Sequence, residues 1–271
     1  MAEEKNPFHW RGMVTDPAAF VGRERELAGV YTRLRTLGCI SLVGDRRIGK
    51  SSLLYQAWIH AQERLGSACR PVFADLLSAK HHTLDGLLET LLKGVTGEAK
   101  PVPKGSAAEK LAAFEEAIRK ARAWGGQPVA FLDEFEALGS RIEQFGDDLL
   151  ESWRSLANDG QMAFVSTSAR PLDEITQESG FTSSFYNVFA QMKLGEFADQ
   201  EAKAFADRAM RVGRLEATDA VFVQRVGGRH PLRLQVAAWH ILEARRSGQV
   251  DFGLLQQRAE AEIAGMMGKQ S

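Results

Sequence analysis

The segment that begins at Cys39 constrains the fold more than any other part of the chain. The apolar run Cys39 to Val43 leads directly into Gly44-Asp45-Arg46-Arg47-Ile48-Gly49-Lys50-Ser51-Ser52. This segment fits the spacing Gly-x4-Gly-Lys-Ser/Thr without a mismatch, and a helical pattern follows it to Leu65. A strand, a glycine-containing loop and a helix in this order turn backbone N–H groups towards an anion at the helix N-terminus. The loop is therefore expected to bind phosphate, the alternative being a surface turn that happens to carry a lysine.

The residues of this loop have separate expected roles. Its glycines allow a tight turn, and all residues from Gly44 to Ser52 are predicted to contact a nucleotide. Lys50 is expected to reach the β- and γ-phosphates, and the Ser51 hydroxyl to complete the shell of a Mg2+ ion that otherwise keeps its waters. Because backbone amides hold the phosphates, the side chains of Arg46 and Arg47 are expected to point outwards, to solvent or to a partner.

A second segment, Pro128 to Glu134, has the pattern of a buried strand that ends in two acids. Asp133 at the strand end is predicted to orient a Mg2+-bound water. Strand side chains alternate in direction, so Glu134 is expected to point the other way and to act as general base on an attacking water. Glu136, two residues further on, is the alternative base. An acid after a strand is ordinary surface chemistry by itself, and it is the phosphate-binding loop that gives this pair its expected function.

Short apolar runs alternate with longer helical patterns over the first two thirds of the chain. Strands are predicted at 39–43, 72–76, 129–132, 162–166 and within 188–194. This alternation predicts an α/β fold in which a parallel sheet is sandwiched by helices. One helix is expected to begin at Ser106, which has capping-box spacing to Glu109, and to run to about Trp124. Trp124, Trp153 and Trp239 are predicted to lie in the core.

The pattern after Asp199 is helical only. It predicts about four helices, with breaks at Gly213, Gly227-Gly228, Gly248 and Gly253 and a new helix that starts at Pro231. The predicted domains are an extended N-terminal arm (1–17), an α/β core (18–196) and a C-terminal all-helical lid (197–271).

Composition and charge disfavour several classes of protein. The chain holds 34 Lys and Arg against 35 Asp and Glu, a formal net charge of −1, whereas proteins that bind nucleic acid through phosphate contacts usually carry a basic excess. Arg245-Arg246 is the only local support for DNA binding. No apolar stretch approaches the ~20 residues that span a bilayer, and the N-terminus lacks the order of a signal peptide. A cytoplasmic protein is expected, with Cys39 and Cys69 as isolated buried thiols.

These motifs together resemble the additional-strand, catalytic-glutamate branch of P-loop ATPases. Three further stretches resemble the AAA+ and STAND group within it, in particular its compact prokaryotic members and the related archaeal ATPases. Phe20 to Leu27 resembles the Val-Gly-Arg-x-x-Glu box before the first strand, and Phe164 to Leu172 resembles the fourth strand with its polar sensor. Gly227 to Leu232 resembles the Gly-Gly-x-Pro turn of the helical lid, with one residue inserted. The resemblance implies a P-loop NTPase fold that binds ATP with Mg2+, and the sequence has no Asn-Lys-x-Asp motif that would read guanine.

The resemblance also implies nucleotide-site residues outside the two motifs. Val21, Gly22 and Arg23 are expected to lie along the adenine, and Pro231 in the lid turn is expected to contact the nucleotide. Ser168 is predicted as the catalytic polar sensor of the γ-phosphate, with Thr167 as the second choice. A hydroxyl that caps the turn after the strand is the alternative for Ser168.

Several basic side chains are alternative candidates for contact with the γ-phosphate. Arg170 is expected to contact phosphate or a neighbouring subunit and is counted with Lys50, Glu134 and Ser168 as catalytic. The candidates for a lid sensor are Arg229, His230 and Arg233. The candidates for a trans-acting arginine finger are Arg141, Arg154 and Arg170.

The function expected from these features is a Mg2+-dependent ATPase switch that controls self-association or a separate effector protein. Two alternatives stay open. One is a nucleotide-gated protein-binding module with little turnover, motivated by the shortness of the sequence after the lid. The other is an ATP-dependent DNA-associated factor, which the balanced charge disfavours. A small-molecule P-loop kinase is disfavoured because Glu134 suits the activation of water.

Overall fold

One parallel sheet organises the first part of the chain. The computed structural model describes residues 5–98 and 101–268. In that part the strand order is β2-β3-β4-β1-β5, and the strands are β1 (Cys39–Val43), β2 (Cys69–Asp75), β3 (Gln127–Asp133), β4 (Ala163–Ser168) and β5 (Phe189–Lys193). β4 pairs with β1 on one side and with β3 on the other, so it separates the strand before the phosphate loop from the acidic strand. The predicted strands are all present, and the predicted parallel sheet is confirmed.

Helices connect the strands. They are α1 (Glu24–Leu34), α2 (Lys50–Ile59), α3 (Ala61–Leu65), α4 (Leu84–Thr96), α5 (Ala107–Ala123), α6 (Glu136–Gly139), α7 (Ile142–Asn158) and α8 (Leu172–Glu178). The single helix predicted over 50–65 is in fact two, because the chain leaves helical geometry at His60. The capping box of Ser106 and Glu109 is confirmed, with Glu109 accepting the Ser106 N–H at 2.7 Å. Gly146, with a φ of 61°, interrupts the helical geometry of α7 and kinks it.

Both faces of the sheet are covered because successive strand residues point to opposite sides. On one face, Ala74 of β2 belongs to a core that includes buried side chains of α4, α5 and α7, among them Phe114 and Trp153. On the other face, Phe73 packs against Tyr55 and Trp58 of α2, with ring centroids 6.0 and 5.3 Å away. The predicted sandwich of helices around the sheet is therefore confirmed.

The chain divides into two compact units. The sheet unit comprises Glu24–Asp45 and Leu53–Leu194, and the helical unit comprises Met1–Arg23, Arg46–Ser52 and Gly195–Ser271. The domain boundaries predicted from the sequence, at 17/18 and 196/197, stay a prediction.

The helical unit contains the four helices expected after the sheet. They are α9 (Asp199–Gly213), α10 (Ala217–Gly227), α11 (Pro231–Ser247) and α12 (Phe252–Met267). Gly248 ends α11 in the left-handed conformation, as glycine does at many helix C-termini. The break predicted at Gly253 is wrong: Asp251 caps α12 by accepting the Leu254 N–H, and Gly253 lies in the first turn. Across the described residues, no helix has the length and apolar character needed to cross a membrane.

The N-terminal arm contributes to the core of the helical unit. Residues 5–16 form no helix or strand, as expected, yet Phe8 is only 1% exposed and its ring lies 6.2 Å from that of Phe205 in α9. Trp10 packs edge-on against Trp239 of α11 at 5.1 Å, and Asn6 donates a 2.7 Å hydrogen bond to Glu243. The arm is therefore part of this unit's packing.

The burial predicted for the two cysteines is confirmed, whereas the core position predicted for the tryptophans is wrong for one of them. Cys39 and Cys69 are both free and buried, as predicted. Trp153 is fully buried. The core position predicted for Trp124 is wrong, since this side chain is 87% exposed. Trp124 caps the C-terminus of α5, where the periodicity of the helix no longer sets the direction of the side chain.

Candidate nucleotide-binding site

The phosphate loop leaves the sheet between two neighbouring strand ends. The Gly44 N–H donates to the Ser168 carbonyl at 3.3 Å, and the Val43 carbonyl accepts the Leu194 N–H at 2.7 Å. These bonds hold the end of β1 beside the end of β4 and the residue after β5. In a parallel sheet all carboxyl ends meet at one edge, which is where ligands of open α/β sheets bind.

The backbone of the loop alternates in handedness. Arg47 and Gly49 have φ values of 63° and 97°, while Ile48 between them is not in the left-handed region and is buried. Alternation of this kind turns successive N–H groups to one side and forms an anion-binding concavity. A Cβ on Gly49 would meet no atom within 4 Å, so the backbone angle, and not crowding, requires glycine there.

The loop continues into the first turn of α2. Lys50 begins that helix and is 8% exposed, whereas most lysines are largely exposed. Ser51 follows, and the hydroxyl of Ser52 accepts the Val14 N–H at 2.9 Å. A buried ammonium, a hydroxyl and inward-turned amides at a helix N-terminus form a donor set that fits a nucleotide triphosphate.

A Mg2+ ion that arrives with the nucleotide needs oxygen ligands, which the ammonium and the amide N–H groups of this loop do not supply. The described residues contain no group of three or more His, Cys, Asp or Glu that could hold a metal by themselves. Mg2+ bound to nucleotide phosphates needs only one or two protein oxygens and keeps several waters. Ser51 and Asp133 are the residues of this chain with suitable oxygens at the predicted positions.

The acidic strand is linked to β4 through Thr167. The Thr167 hydroxyl donates to Asp133 Oδ1 at 2.5 Å and accepts the Glu134 N–H at 3.0 Å. The Phe135 N–H donates to the Thr167 carbonyl at 2.9 Å. Asp133 and Thr167 are 4% and 1% exposed, so this network lies in a low-dielectric environment that strengthens its bonds. It fixes the Asp133 carboxylate and the start of the Glu134 backbone together.

The backbone, and not strand alternation, directs Glu134. β3 ends at Asp133, and Glu134 has a φ of 57°, which is rare for a residue with a side chain. The premise that Glu134 continues the strand is therefore wrong, and its role as general base stays a prediction. Such strain often marks functional positions. Glu136, the alternative base, begins α6, and its Oε1 accepts the Ala169 N–H.

The residues at the end of β4 and just after it are linked by hydrogen bonds to one another and to α8. The buried Ser168 hydroxyl donates to the Arg170 carbonyl at 2.6 Å, which is the turn-capping role considered as its alternative. The Arg170 guanidinium makes two 2.6 Å hydrogen bonds to the Glu178 carboxylate at the end of α8. The sensor role of Ser168 and the phosphate contact of Arg170 stay predictions. Thr167, the second choice, is the hydroxyl that contacts the acidic pair.

The segment predicted to lie along the adenine is held by buried hydrogen bonds and close packing. Arg23 is 3% exposed, and its guanidinium donates to the carbonyls of Ile48 at 3.2 Å and Gly195 at 2.6 Å. Gly22 has a φ of 74°, and a Cβ there would lie 2.8 Å from Glu201 Oε1. Val21 packs on the core of the helical unit. Arg23 thus ties the phosphate loop to the start of the helical C-terminal segment.

The lid-turn residues lie at the start of α11. Pro231 occupies the first helical position, and His230 is the N-cap residue and is 5% exposed. Arg229 is half-exposed and lies 3.7 Å from Glu196 and 3.5 Å from Asp199. Of the lid-sensor candidates, Arg229 is therefore already paired with acids of its own unit.

Of the finger candidates, Arg154 and Arg170 are exposed and Arg141 is half-buried. Arg141 donates to the Ala137 carbonyl at 2.9 Å, and Arg154 is exposed on α7. Arg46 and Arg47 are exposed, as expected. Arg47 also donates to the Trp10 carbonyl at 3.3 Å.

Sequence reasoning missed two features of this region. It considered Thr167 only as a sensor of the γ-phosphate and missed its hydrogen bonds to Asp133 and to the Glu134 N–H, because a strand pattern does not say which of two adjacent hydroxyls faces the neighbouring strand. It also missed the contacts of the N-terminal arm with the phosphate loop, through Val14 to Ser52 and Arg47 to Trp10. No local sequence motif predicts such contacts, because they join residues that are distant in the sequence.

Solved structures share this architecture at low sequence identity. The Walker-type ATPase PABY2304 of Pyrococcus abyssi matches with a TM-score of 0.68 and 19% identity, over 95% of this chain and 76% of that chain. The Aeropyrum pernix ORC2 protein in ADPNP–ADP complexes matches with a TM-score of 0.67 and 16% identity, over 94% and 71%. The Aeropyrum pernix ORC1 protein in complex with DNA matches with a TM-score of 0.57 and 20% identity, over 91% and 66%. At these identities the likeness establishes the fold.

A comparison of the sequence with family models establishes the family. No curated protein matches the chain. A family model described as an AAA domain matches residues 33–211, from the end of α1 to α9. That range includes the phosphate loop, the acidic strand and β4, which are the elements that carry the resemblance to AAA+ P-loop ATPases. Placement in the STAND group stays a prediction. The chain belongs to the AAA domain family of P-loop ATPases.

Proposed function

We propose that this protein binds ATP with Mg2+ and hydrolyses it, and that the bound nucleotide controls self-association or a separate effector protein. One observation carries the proposal: β4 lies between β1 and β3, and its Thr167 joins Asp133 to Glu134 while the neighbouring Ser168 carbonyl accepts Gly44 of the phosphate loop. The elements that would hold phosphate, metal and water thus leave the sheet at adjacent strand ends.

Each residue has a role that follows from its chemistry. The amides of the loop and Lys50 would hold the phosphates, and the Ser51 hydroxyl and the Asp133 carboxylate would hold Mg2+. When bound, the ion would neutralise phosphate charge. Glu134 would take the proton of the attacking water. Thr167 would keep the Asp133 carboxylate oriented through the hydrogen bond that its hydroxyl donates.

ATP turnover by the purified protein tests the enzymatic part. We expect Lys50→Ala to abolish nucleotide binding and Glu134→Gln to preserve binding while lowering turnover at least a hundredfold. Glu136→Gln is the matched control, and we expect turnover within a few-fold of the wild type. A wild type that is inert, together with no effect of Glu134→Gln, would leave only a nucleotide-gated binding module with little turnover.

The switch is tested by measuring the mass of the purified protein with and without a slowly hydrolysed ATP analogue. We expect a change in assembly, or retention of a co-purified partner, that depends on the analogue and is lost in Lys50→Ala. Glu134→Gln should show the same change with ATP itself, because it would hold the nucleotide without cleaving it. A mass that is identical in both states, with nucleotide bound, would exclude the assembly switch.

A second candidate is an ATP-dependent DNA-associated factor, favoured by the similarity to the Aeropyrum pernix ORC1 protein in complex with DNA. Its local support is weak. Arg245 makes hydrogen bonds of 2.8 to 3.1 Å to Asp219, and Arg246 pairs with Glu243 at 3.2 Å. DNA binding through phosphate contacts would weaken steeply from low to physiological salt. Binding that is absent at low salt excludes this candidate.

A further inference from the structure

A groove with three acidic side chains lies between α5 and α7 in the sheet unit. It has a volume of about 340 Å³ and is lined by Ala108, Leu111, Ala112, Glu115, Asp148, Glu151 and Ser152. The four residues of α5 follow a spacing of three and four, and so do the three residues of α7, so each helix contributes one continuous stripe. Small side chains at 108, 112 and 152 leave the space between the helices open. The groove is therefore a product of one face of each helix and belongs to neither nucleotide motif.

The charges at this groove are all negative. Its lining contains three carboxylates and no Lys, Arg or His. Glu115 is paired with Arg119 at 2.9 Å, one turn further along α5. Within the described residues, Asp148 and Glu151 make no ion pair or side-chain hydrogen bond. Two uncompensated carboxylates on adjacent turns of one helix repel each other and attract a cation.

A buried hydroxyl provides a second, independent indication of a ligand. Ser152 lines the groove and is 6% exposed, and its Oγ has no hydrogen-bond partner within the described part of the chain. Buried polar atoms in native proteins are nearly always paired, so an orphan hydroxyl beside a cavity needs a partner. A ligand with an N–H group would supply the missing donor.

We infer that this groove binds an alkylammonium or alkylguanidinium group. The aliphatic stem would lie along Leu111 and the two alanines, and the cationic head would meet Asp148 and Glu151 while donating to Ser152 Oγ. Such a combination of apolar and anionic lining suits a stem with a terminal cation better than it suits a bare metal ion. A free polyamine and the Lys or Arg side chain of another protein share this chemistry. The inference does not rest on ATP hydrolysis.

Titration of the isotope-labelled protein with n-butylguanidinium at low salt, followed by amide chemical shifts, tests the site. We expect shifts concentrated at residues 108–115 and 148–152. The neutral isostere n-butylurea should bind at least tenfold more weakly. Equal binding of the two compounds, no binding of n-butylguanidinium, or shifts confined to other parts of the protein would overturn the inference.

Matched variants test separately whether binding needs the negative charge of the groove and its open volume. We expect the double variant Asp148→Asn/Glu151→Gln, in which both residues are exposed, to weaken binding at least tenfold. Glu116→Gln, on α5 and outside the groove, should bind within twofold of the wild type. Ala112→Leu should block the groove, and circular dichroism reports whether it folds. A double variant that is folded and binds like the wild type contradicts the inference.

Two further probes identify the source of the cation. Tighter binding of a capped Ala-Arg-Ala peptide than of spermidine assigns the groove to a side chain of another protein, and the reverse order assigns it to a free polyamine. Either order supports the site. Failure of both probes to produce the shifts at 108–115 and 148–152 would overturn it.

Discussion

Thr167 and Asp133 are joined across β4 and β3 by a 2.5 Å hydrogen bond, with the threonine hydroxyl as donor. The same oxygen accepts the Glu134 N–H. A single buried side chain therefore orients the carboxylate expected to hold the metal and anchors the backbone of the residue expected to activate water. Neither acid is positioned by the strand alone.

Thr167→Val keeps the shape of the side chain and removes the hydroxyl. We expect ATP turnover to fall by about 10–100-fold, the usual effect of losing a hydrogen-bond partner of a metal ligand, and stability to fall by about 1–3 kcal/mol because buried groups lose their partner. Thr167→Ser should recover most of the activity. The control is Thr176→Val, whose equally buried hydroxyl donates within α8, to the Leu172 and Asp173 carbonyls. Similar turnover losses in both valine variants would contradict a specific role for Thr167.

Arg170 is held by two hydrogen bonds to Glu178 on an exposed surface. If its guanidinium acts on phosphate in the working state, it must leave that pair. We expect Arg170→Ala to lower turnover at least tenfold, and Glu178→Gln to leave turnover unchanged or raise it, because it frees the arginine. Stability should barely change in either variant, since exposed ion pairs contribute little. Unchanged turnover in Arg170→Ala would remove this residue from the catalytic set.

Phe8 links the N-terminal arm to the core of the helical unit. Truncation to alanine should cost about 3–5 kcal/mol, because it removes a fully buried ring and leaves a cavity. Chemical unfolding followed by tryptophan fluorescence measures this loss. Val221→Ala is the control in the same unit, since Val221 is 63% exposed and its truncation should be nearly neutral. A loss below about 1 kcal/mol for Phe8→Ala would mean that the arm is not part of the folded core.

The two buried thiols predict a loss of stability at high pH. Burial raises the pKa of both Cys39 and Cys69 to about 11, whereas an unfolded cysteine titrates near 8.5. Both states are protonated below about pH 8.5, so the stabilisation is fully present there. Between about pH 8.5 and 11 only the unfolded state ionises, and each thiol then loses on the order of 3 kcal/mol of its contribution.

Urea unfolding at pH 8 and at pH 10.5 measures this effect. The fall in the free energy of unfolding should be clearly smaller in a Cys39→Ala/Cys69→Ala variant, whatever its absolute stability. The native thiols should also resist alkylation at pH 8, because the thiolate is the reactive form. The same fall with pH in both proteins would assign it to other groups.

Local sequence determined much of this protein. The strand–loop–helix order around Gly44 to Ser52, the strand before Asp133 and the capping box at Ser106 each depend on residues close in the chain. Their propensities, caps and glycine angles act over a few residues, so the pattern that encodes them is visible in one segment. The order of alternating strands and helices likewise predicted the parallel sheet, because parallel strands need crossover helices.

Only the tertiary structure decided how the remaining residues are used. In the tertiary structure Glu134 leaves the strand with a φ of 57°, and Thr167 rather than Ser168 contacts the acidic pair. Trp124 is exposed, and Phe8 lies in the core of the helical unit. The outcomes for Glu134, Thr167 and Phe8 each depend on a partner that is remote in sequence. Periodicity gives the face on which a side chain lies, but it carries no information about which element packs against that face.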